Sequence, residues 1–177
     1  LQGLANLALL DLSHNQIALV AQESFQGLAN LQRLDLNSNQ LTVLAEGMFR
    51  GLNNLQGLYL RQNQIGTIEE GVFQEFMNLR TLDLSANQLA TITQHNFQGL
   101  ANLQVLYLEE NQINNLDEGA FAAMQNLREL WLAENEIMEI EQGDFAGLIN
   151  LKTLQITDNQ IISIESGAFE ELTELQQ

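Results

Sequence analysis

The chain has 177 residues, of which 45% are hydrophobic, and it contains no cysteine and no proline. The lack of cysteine excludes disulfides, thiolate metal sites and cysteine nucleophiles, and no apolar run reaches the roughly 18 residues that membrane insertion needs. Six Lys and Arg residues against 23 Asp and Glu residues give a net charge of −17. Because such a charge repels phosphate groups, it predicts that neither nucleic acid nor an anionic membrane surface is a partner.

One pattern repeats along the chain from end to end. Residues 1–6 match the end of a unit, seven copies of 24 residues follow from Leu7, and residues 175–177 match the start of another. An asparagine recurs in every copy without insertion or deletion: Asn15, Asn39, Asn63, Asn87, Asn111, Asn135 and Asn159. A phenylalanine does the same: Phe25, Phe49, Phe73, Phe97, Phe121, Phe145 and Phe169. A strict period of this length is typical of a solenoid.

The apolar residues within each copy predict its local structure. Counted from Leu7 as position one, they occupy positions 1, 4, 6, 11, 14, 19 and 22. The alternation at positions 4 and 6 predicts a short strand with one buried face. So small a unit cannot bury these side chains alone, so consecutive units are expected to stack with their strands side by side in a parallel sheet.

The unit LxxLxLxxNxLxxLxxxxFxxL resembles the leucine-rich-repeat family, in the 24-residue type common in extracellular recognition proteins such as Toll-like receptors. The resemblance covers essentially all of residues 1–177. It implies an α/β repeat solenoid, a horseshoe with a parallel β-sheet on the concave face and short helical or irregular segments on the convex face. We expect a single domain over residues 1–177, because no Pro-, Ser- or Gly-rich linker interrupts the repeats.

The repeated asparagine, at position nine, follows the strand at the point where the chain must turn. Its amide can both donate to and accept from backbone groups of neighbouring coils, so we interpret the seven asparagines as a structural ladder. A glycine two residues before the repeated phenylalanine suits a left-handed turn in five copies, namely Gly47, Gly71, Gly119, Gly143 and Gly167. Glu23 and His95 replace it, so either the turn accepts a non-glycine residue or these two coils differ.

Positions 2, 3, 5, 7 and 8 of each copy are left to form the concave face, the name used below for these 35 positions. Five of the six basic residues lie there: Arg33, Arg61, Arg80, Arg128 and Lys152. Both tyrosines and the single tryptophan lie there too, all at position five: Tyr59, Tyr107 and Trp131. Position five of an open sheet also accepts aromatic side chains without any ligand. Aromatic and arginine enrichment nonetheless favours a recognition surface, because these side chains offer large contact areas at low entropic cost.

We therefore predict a non-catalytic module that binds a protein or peptide on the concave face. The predicted ligand-binding residues are Tyr59, Arg61, Arg80, Tyr107, Glu109, Arg128, Glu129 and Trp131. Adjacent strands lie about 4.8 Å apart, so Tyr107 and Trp131 should be neighbours and form the centre of the site.

The competing hypothesis is an idealised or engineered scaffold. The unbroken register, the absence of Pro and Cys and the absence of recognisable caps would then reflect regularity rather than a ligand. Because uncapped coils leave apolar side chains incompletely covered, self-association through the ends is a further expectation. A chain of this kind would be a fragment, a trimmed chain or a design that assembles end to end.

Residues for catalysis are few. His14 lies near Ser13 and Asp11 in the sequence, but a hydrolytic site on an open sheet would lack an oxyanion pocket, so we predict that the chain is not an enzyme. No cofactor is expected, because phosphate-binding glycine motifs do not occur. No metal site is predicted either. Acidic pairs such as Asp117 and Glu118 leave calcium open as an alternative, although no DxDxDG-type loop is present.

The location is not settled by the sequence. The family resemblance implies an extracellular or cell-surface protein. None of the 19 asparagines lies in an N-x-Ser/Thr glycosylation sequence, and no disulfide can form. These two features favour a bacterial or designed origin over a secreted eukaryotic glycoprotein.

Overall fold

The computed structural model describes residues 4–177 and consists of short strands joined by turns. In chain order the strands are β1 (Leu9–Asp11), β2 (Arg33–Asp35), β3 (Val43–Leu44), β4 (Gly57–Tyr59), β5 (Thr67–Ile68), β6 (Thr81–Asp83), β7 (Thr91–Ile92), β8 (Val105–Tyr107), β9 (Asn115–Leu116), β10 (Glu129–Trp131), β11 (Glu139–Ile140), β12 (Thr153–Gln155) and β13 (Ser163–Ile164). Over these residues the three-residue strands form a seven-stranded sheet in the order β1-β2-β4-β6-β8-β10-β12. The two-residue strands pair as β3-β5, β7-β9 and β11-β13.

Every pairing in the large sheet is parallel and joins residues that are 24 positions apart. Leu34 pairs with Leu58, for example, and Trp131 pairs with Tyr107. Equivalent positions of successive repeats therefore form straight columns across the sheet. Because side chains alternate along a strand, position four faces the core while positions three and five face outwards.

The core is a continuous stack of leucines and phenylalanines. The strand leucines Leu34, Leu58, Leu82, Leu106 and Leu130 have no solvent exposure. The phenylalanine rings stack from repeat to repeat; those of Phe97 and Phe121, for example, lie 6.2 Å apart at an angle of 14°. Near the ends the cover is thinner, since Leu4 is 43% and Leu175 is 38% exposed, although Leu172 is buried. Leu1 lies outside the described residues.

The asparagines at position nine bond to backbone groups of their own and the preceding coil. The Asn87 amide donates to the Leu84, Ser85 and Leu60 carbonyls, and its Oδ1 accepts from the N–H of Ile65. The same contacts to a preceding coil recur at Asn39, Asn63, Asn111, Asn135 and Asn159. Asn15 instead donates within its own coil, to the carbonyls of Leu12 and Ser13.

The residue before each of these asparagines adopts a left-handed conformation, although none is glycine. The φ angles lie between 52° and 56° at His14, Ser38, Gln62, Ala86, Glu110, Glu134 and Asp158. This reversal ends the strand and turns the following asparagine into the coil. A left-handed conformation costs free energy for a non-glycine residue. The buried hydrogen bonds of the following asparagine, which form only in this geometry, offset that cost.

The convex side is made of turns, and the predicted helical segments are absent among residues 4–177. The fold there is thus a β-solenoid without the α component. The physical reason is visible at Gly47 and Gly51, whose φ angles of 75° and 93° place two left-handed residues four positions apart. Only three residues separate them, too few to continue a helix. The described chain also contains no helix long and apolar enough to cross a membrane.

Two repeats have Glu23 and His95 in place of the glycine that precedes the repeated phenylalanine by two residues. The turn accepts a non-glycine residue in one of them, and the coil differs in the other. Glu23 adopts the left-handed conformation, with φ 65°, so the turn accepts a non-glycine residue there. The backbone of His95, in contrast, is not left-handed. In its coil the Asn96 side chain accepts a bond from the N–H of Thr93 and donates to the carbonyl of Ile68. That coil therefore differs from its neighbours, because the Asn96 side chain stands in for a left-handed residue at the position of His95.

A second asparagine ladder runs along the edge of the sheet where the strands begin. Asn30, Asn54, Asn78, Asn102, Asn126 and Asn150 each donate to a backbone carbonyl 25 residues earlier, at 2.8 to 2.9 Å. Their 24-residue spacing in the sequence was the available signal. On the convex side, carboxylates also link neighbouring coils. They accept backbone N–H groups of the preceding coil at Glu69, Glu75, Glu165 and Glu171. Part of the chain's acidity thus satisfies its own backbone.

Gly99 is expected to be essential to the stacking of the coils. Its φ is +98°, and a Cβ there would lie 2.4 Å from the backbone oxygen of Phe73. Gly99→Ala should therefore lower the free energy of unfolding by more than about 2 kcal/mol, measured by urea denaturation. Gly66→Ala is the control, since that glycine is not left-handed and its nearest neighbour, the Gln88 oxygen, is 3.6 Å away. Equal losses in the two variants would contradict this account.

Candidate interaction surface

The aromatic pair on the concave face is brought together by the register of β8 and β10. The rings of Tyr107 and Trp131 lie 6.1 Å apart at an angle of 28°, and both side chains are half-buried. The indole N–H of Trp131 donates to Oε2 of Glu129 at 3.2 Å, which fixes the orientation of the ring. Burial raises the pKa of Tyr107, and the carboxylates of Glu129 and Glu109 raise it further. The phenol therefore remains neutral at physiological pH.

Glu109 lies beside this pair and carries a carboxylate oxygen that is covered yet unbonded. Its Oε2 has no hydrogen-bond partner among the described residues. Burial raises the pKa of Glu109, the charge of Asp83 adds to this, and the backbone bond and Arg61 oppose it. A covered acceptor without a donor costs free energy, and a partner cannot reach this oxygen unless the side chains that cover it move.

Arg61 reaches across the face to the same region. Its guanidinium donates to Oε1 of Glu110 at 2.6 Å and to the hydroxyl oxygen of Ser85 at 3.0 Å. Its backbone N–H donates to Oδ1 of Asn37 at 2.7 Å. Arg61 is therefore tied to the repeats on both sides and shields one of the carboxylates next to the aromatic pair.

Tyr59 forms a second group, which the sequence only partly indicated. Its ring lies over Gly57, where a Cβ would come within 2.9 Å of Cε2 of the ring. On its other side the guanidinium carbon of Arg33 lies 4.0 Å from the ring centre, within range of a cation–π contact. The sequence signal for Gly57 was a glycine at an outward strand position next to a tyrosine column. These residues and Arg80 line a shallow depression of about 300 Å³.

Arg128 lies apart from both groups, at position two, where the strands begin, and Arg80, at the same position, borders the Tyr59 depression. They line a trough of about 290 Å³ together with asparagines of the second ladder, Asn102 and Asn126. No acidic residue lines the trough. Of the eight predicted ligand-binding residues, the structure brings Tyr107, Trp131, Glu129 and Glu109 together, places Arg61 at their margin, and puts Tyr59, Arg80 and Arg128 elsewhere on the face.

The side chains near His14 are engaged in other bonds. The Ser13 hydroxyl donates to Oδ1 of Asp11 at 2.6 Å, and the Ser38 hydroxyl donates to Oε1 of Gln62 at 2.9 Å. Neither hydroxyl is bonded to the imidazole. Within residues 4–177 no group of three or more His, Asp or Glu side chains is arranged to hold a metal ion.

Asp144 is a buried carboxyl group on the convex side, at the repeat position that Asn96 occupies two repeats earlier. It is 4% exposed, and its Oδ2 accepts the N–H of Glu141 at 2.8 Å. Burial raises the pKa of Asp144, the bond from Glu141 opposes this, and the charges of Glu141 and Glu165 raise it. The folded chain thus holds its proton to a higher pH than the unfolded chain, so stability falls as pH rises through the folded pKa.

Asp144→Asn is expected to stabilise the chain at pH 7, because an amide keeps the bond to Glu141 and carries no buried charge. The gain should shrink at about pH 3, below the ordinary pKa of an aspartate, where the native carboxyl is protonated as well. Urea denaturation at both pH values measures this difference. Glu136→Gln, at an exposed site, is the control and should show no comparable change. A gain that is equal at the two pH values would contradict the account.

The repeat pattern is also recognised by comparison with known proteins. The family described as leucine rich repeat matches residues 1–41, 29–89, 77–137 and 125–177. The chain belongs to the leucine-rich-repeat family. Leucine-rich-repeat chains are in general binding scaffolds. A comparison with curated proteins found no match to this sequence.

Solved structures of leucine-rich-repeat proteins include one titled crystal structure of TLR13-ssRNA13 complex. It matches 97% of this chain with a TM-score of 0.93 and 31% sequence identity. The chain spans 25% of the length of that protein. The comparison therefore covers one stretch of a longer chain.

The prediction that excluded nucleic acid as a partner is wrong, because a structure with this fold is a complex with single-stranded RNA. The prediction rested on the net charge of −17 of the whole chain. The structure instead separates the charges, and the trough lined by Arg80 and Arg128 contains no carboxylate. Total charge is thus a poor guide to the partners of a solenoid, whose faces differ in charge.

Proposed function

We propose that this chain is a non-catalytic recognition module that binds a protein or peptide on its concave face, anchored at Tyr107 and Trp131. The observation that carries the proposal is the stacked ring pair, which is half-buried and supported from below by the continuous leucine core. Large aromatic side chains that are held in place before binding lose little entropy when a partner covers them.

The hydrogen bonds around the pair support this role. Glu129 fixes the indole of Trp131, and Arg61 ties Glu110 to the neighbouring repeats. Glu109 offers a covered carboxylate oxygen that has no donor among the described residues. A backbone N–H or a basic side chain of the partner would satisfy that oxygen only if the side chains that cover it move on binding.

The non-catalytic part of the proposal is supported by the bonds of the serines. The hydroxyls of Ser13 and Ser38 donate to Asp11 and Gln62 rather than to His14. A nucleophile needs a base within hydrogen-bond reach.

Single-stranded RNA is the second candidate partner, favoured by the similarity to the RNA complex. Stacked aromatic rings accept nucleobases on their faces, and a trough lined by arginines accepts phosphates. The carboxylates of Glu109, Glu110 and Glu129 beside the rings oppose an anionic ligand, and for this reason we place a polypeptide first.

A displayed library of random peptides tests the proposal. The library is selected on the whole chain, and enriched clones are then tested on Tyr107→Ala, on Trp131→Ala and on the convex variant Glu118→Ala. The proposal expects most clones to lose binding to the two concave variants and to keep it with Glu118→Ala. No enrichment, or clones that depend on Glu118, would overturn it. A parallel titration with oligouridylate, followed by fluorescence anisotropy, shows whether RNA binds more tightly than any selected peptide, which would favour the second candidate.

A further inference from the structure

We propose that the bound polypeptide is oriented by opposite charges along the two edges of the concave face. Its carboxylates would lie over the edge where the strands begin, and its ammonium or guanidinium groups over the edge where they end. This inference rests on the proposed function and adds the charge pattern and direction of the partner.

The edge where the strands begin is purely basic. Position two holds Arg80, Arg128 and Lys152 in repeats four, six and seven, all exposed, and no acidic residue occupies this position in any repeat. The trough between Arg80 and Arg128 is also lined by Asn102 and Asn126, whose amides donate to the preceding coil. Exposed guanidinium donors beside such a trough are suited to carboxylates.

The edge where the strands end is acidic in repeats five, six and seven. Position eight holds Glu110, Glu134 and Asp158, all exposed, and no Lys or Arg occupies this position in any repeat. The left-handed backbone at each of these residues places the three carboxylates in one column. Arg61 is the basic side chain that reaches this column, and it is already engaged by Glu110.

The separation of the edges makes them act independently. Positions two and eight are six residues apart, so the edges lie at most about 20 Å from each other. A fully extended span of this length is more than twice the screening length of about 8 Å in physiological salt. A helix with its side chains is about 10 to 12 Å wide. One polypeptide element lying over Tyr107 and Trp131 can therefore reach both edges with flexible charged side chains.

The charge pattern also distinguishes the classes of partner. A polypeptide can carry carboxylates on one side and ammonium groups on the other, which matches both edges at once. A phosphate backbone carries one sign only, so it would gain at the basic edge and be repelled at the acidic edge. The segregation of the charges therefore favours a polypeptide over RNA.

The test uses two blocked pentapeptides, acetyl-Glu-Glu-Leu-Glu-Glu-amide and acetyl-Lys-Lys-Leu-Lys-Lys-amide, titrated into the full chain and followed by NMR. The acidic peptide should shift the resonances of Arg80 and Arg128, and the basic peptide those of Glu134 and Asp158. The double variant Arg80→Gln, Arg128→Gln should weaken the acidic peptide about tenfold and leave the basic one unchanged. Glu134→Gln with Asp158→Asn should do the reverse, and Glu136→Gln is the matched control outside the face.

Binding of both peptides at one edge, or equal loss of both in either double variant, would overturn the inference. Oligouridylate that contacts both edges and binds more tightly than both peptides would overturn it too. The proposed function fails on a different result, namely selected peptides that bind without Tyr107 and Trp131. If the selected peptides need the two rings but neither edge variant selectively weakens one of the two charged pentapeptides, the charge inference alone is wrong.

Discussion

Asn87→Ala is expected to lower the free energy of unfolding by roughly 3 kcal/mol, because it removes several buried hydrogen bonds at once. The Asn87 amide lies within 3.1 Å of the carbonyls of Leu60, Leu84 and Ser85, and its Oδ1 lies 2.9 Å from the N–H of Ile65. The side chain is 7% exposed, so water cannot replace these bonds easily. Alanine would leave the buried N–H of Ile65 without its partner.

Urea denaturation measures this loss, and two variants serve as controls. Gln88→Ala, at the exposed neighbouring position, should cost less than about 0.5 kcal/mol. Asn15→Ala tests the same residue type at an exposed site, where the amide bonds within its own coil. Its loss should fall between the other two. Midpoints that are equal for Asn87→Ala and Gln88→Ala would show that the asparagines do not hold the coils together.

Tyr107→Ala and Trp131→Ala are each expected to weaken binding of a selected peptide by at least about 2 kcal/mol, or roughly 30-fold. The two rings form the centre of the proposed site, and removal of either leaves the other without its stacking partner. Both side chains face outwards from strands whose inward leucines are fully buried. Folding should therefore be nearly unaffected, which thermal melts would verify.

Calorimetry on matched variants separates anchors from general charge effects. Glu118→Ala, on the convex side, should change affinity by a few tenths of a kcal/mol, because exposed charges are screened. Arg128→Ala should have an intermediate effect that shrinks as salt is added. Neutral results at both rings together with a large loss at Glu118 would move the site to the convex side.

The repeat period was sufficient to predict the sheet. One insertion-free period of 24 residues places equivalent positions side by side, and the structure pairs Trp131 with Tyr107 as that period requires. The neighbourhood of these two rings followed from the same arithmetic. Columns of identical residues leave little freedom, because each core position must pack against its own copy in the next coil.

Other features depend on backbone geometry that residue type does not reveal. Seven different coils use non-glycine residues in the left-handed conformation at position eight, from His14 to Asp158, and no propensity rule would have selected them. The family resemblance suggested convex helices, but each convex segment contains at least one left-handed residue, such as Gly47 or Gly71, and forms turns instead. The packing of Tyr59 between Gly57 and Arg33 depends on side-chain directions that spacing alone does not specify.

Hydroxyl-radical footprinting tests the central claim, recognition on the concave face, most directly. Trp131 is the single tryptophan of the chain, and Met138, which is 49% exposed, lies outside the concave face and oxidises readily. With a selected peptide bound, the account predicts that oxidation of Trp131 and Tyr107 falls while oxidation of Met138 is unchanged. Protection of Met138 with full oxidation of Trp131 and Tyr107 would contradict it.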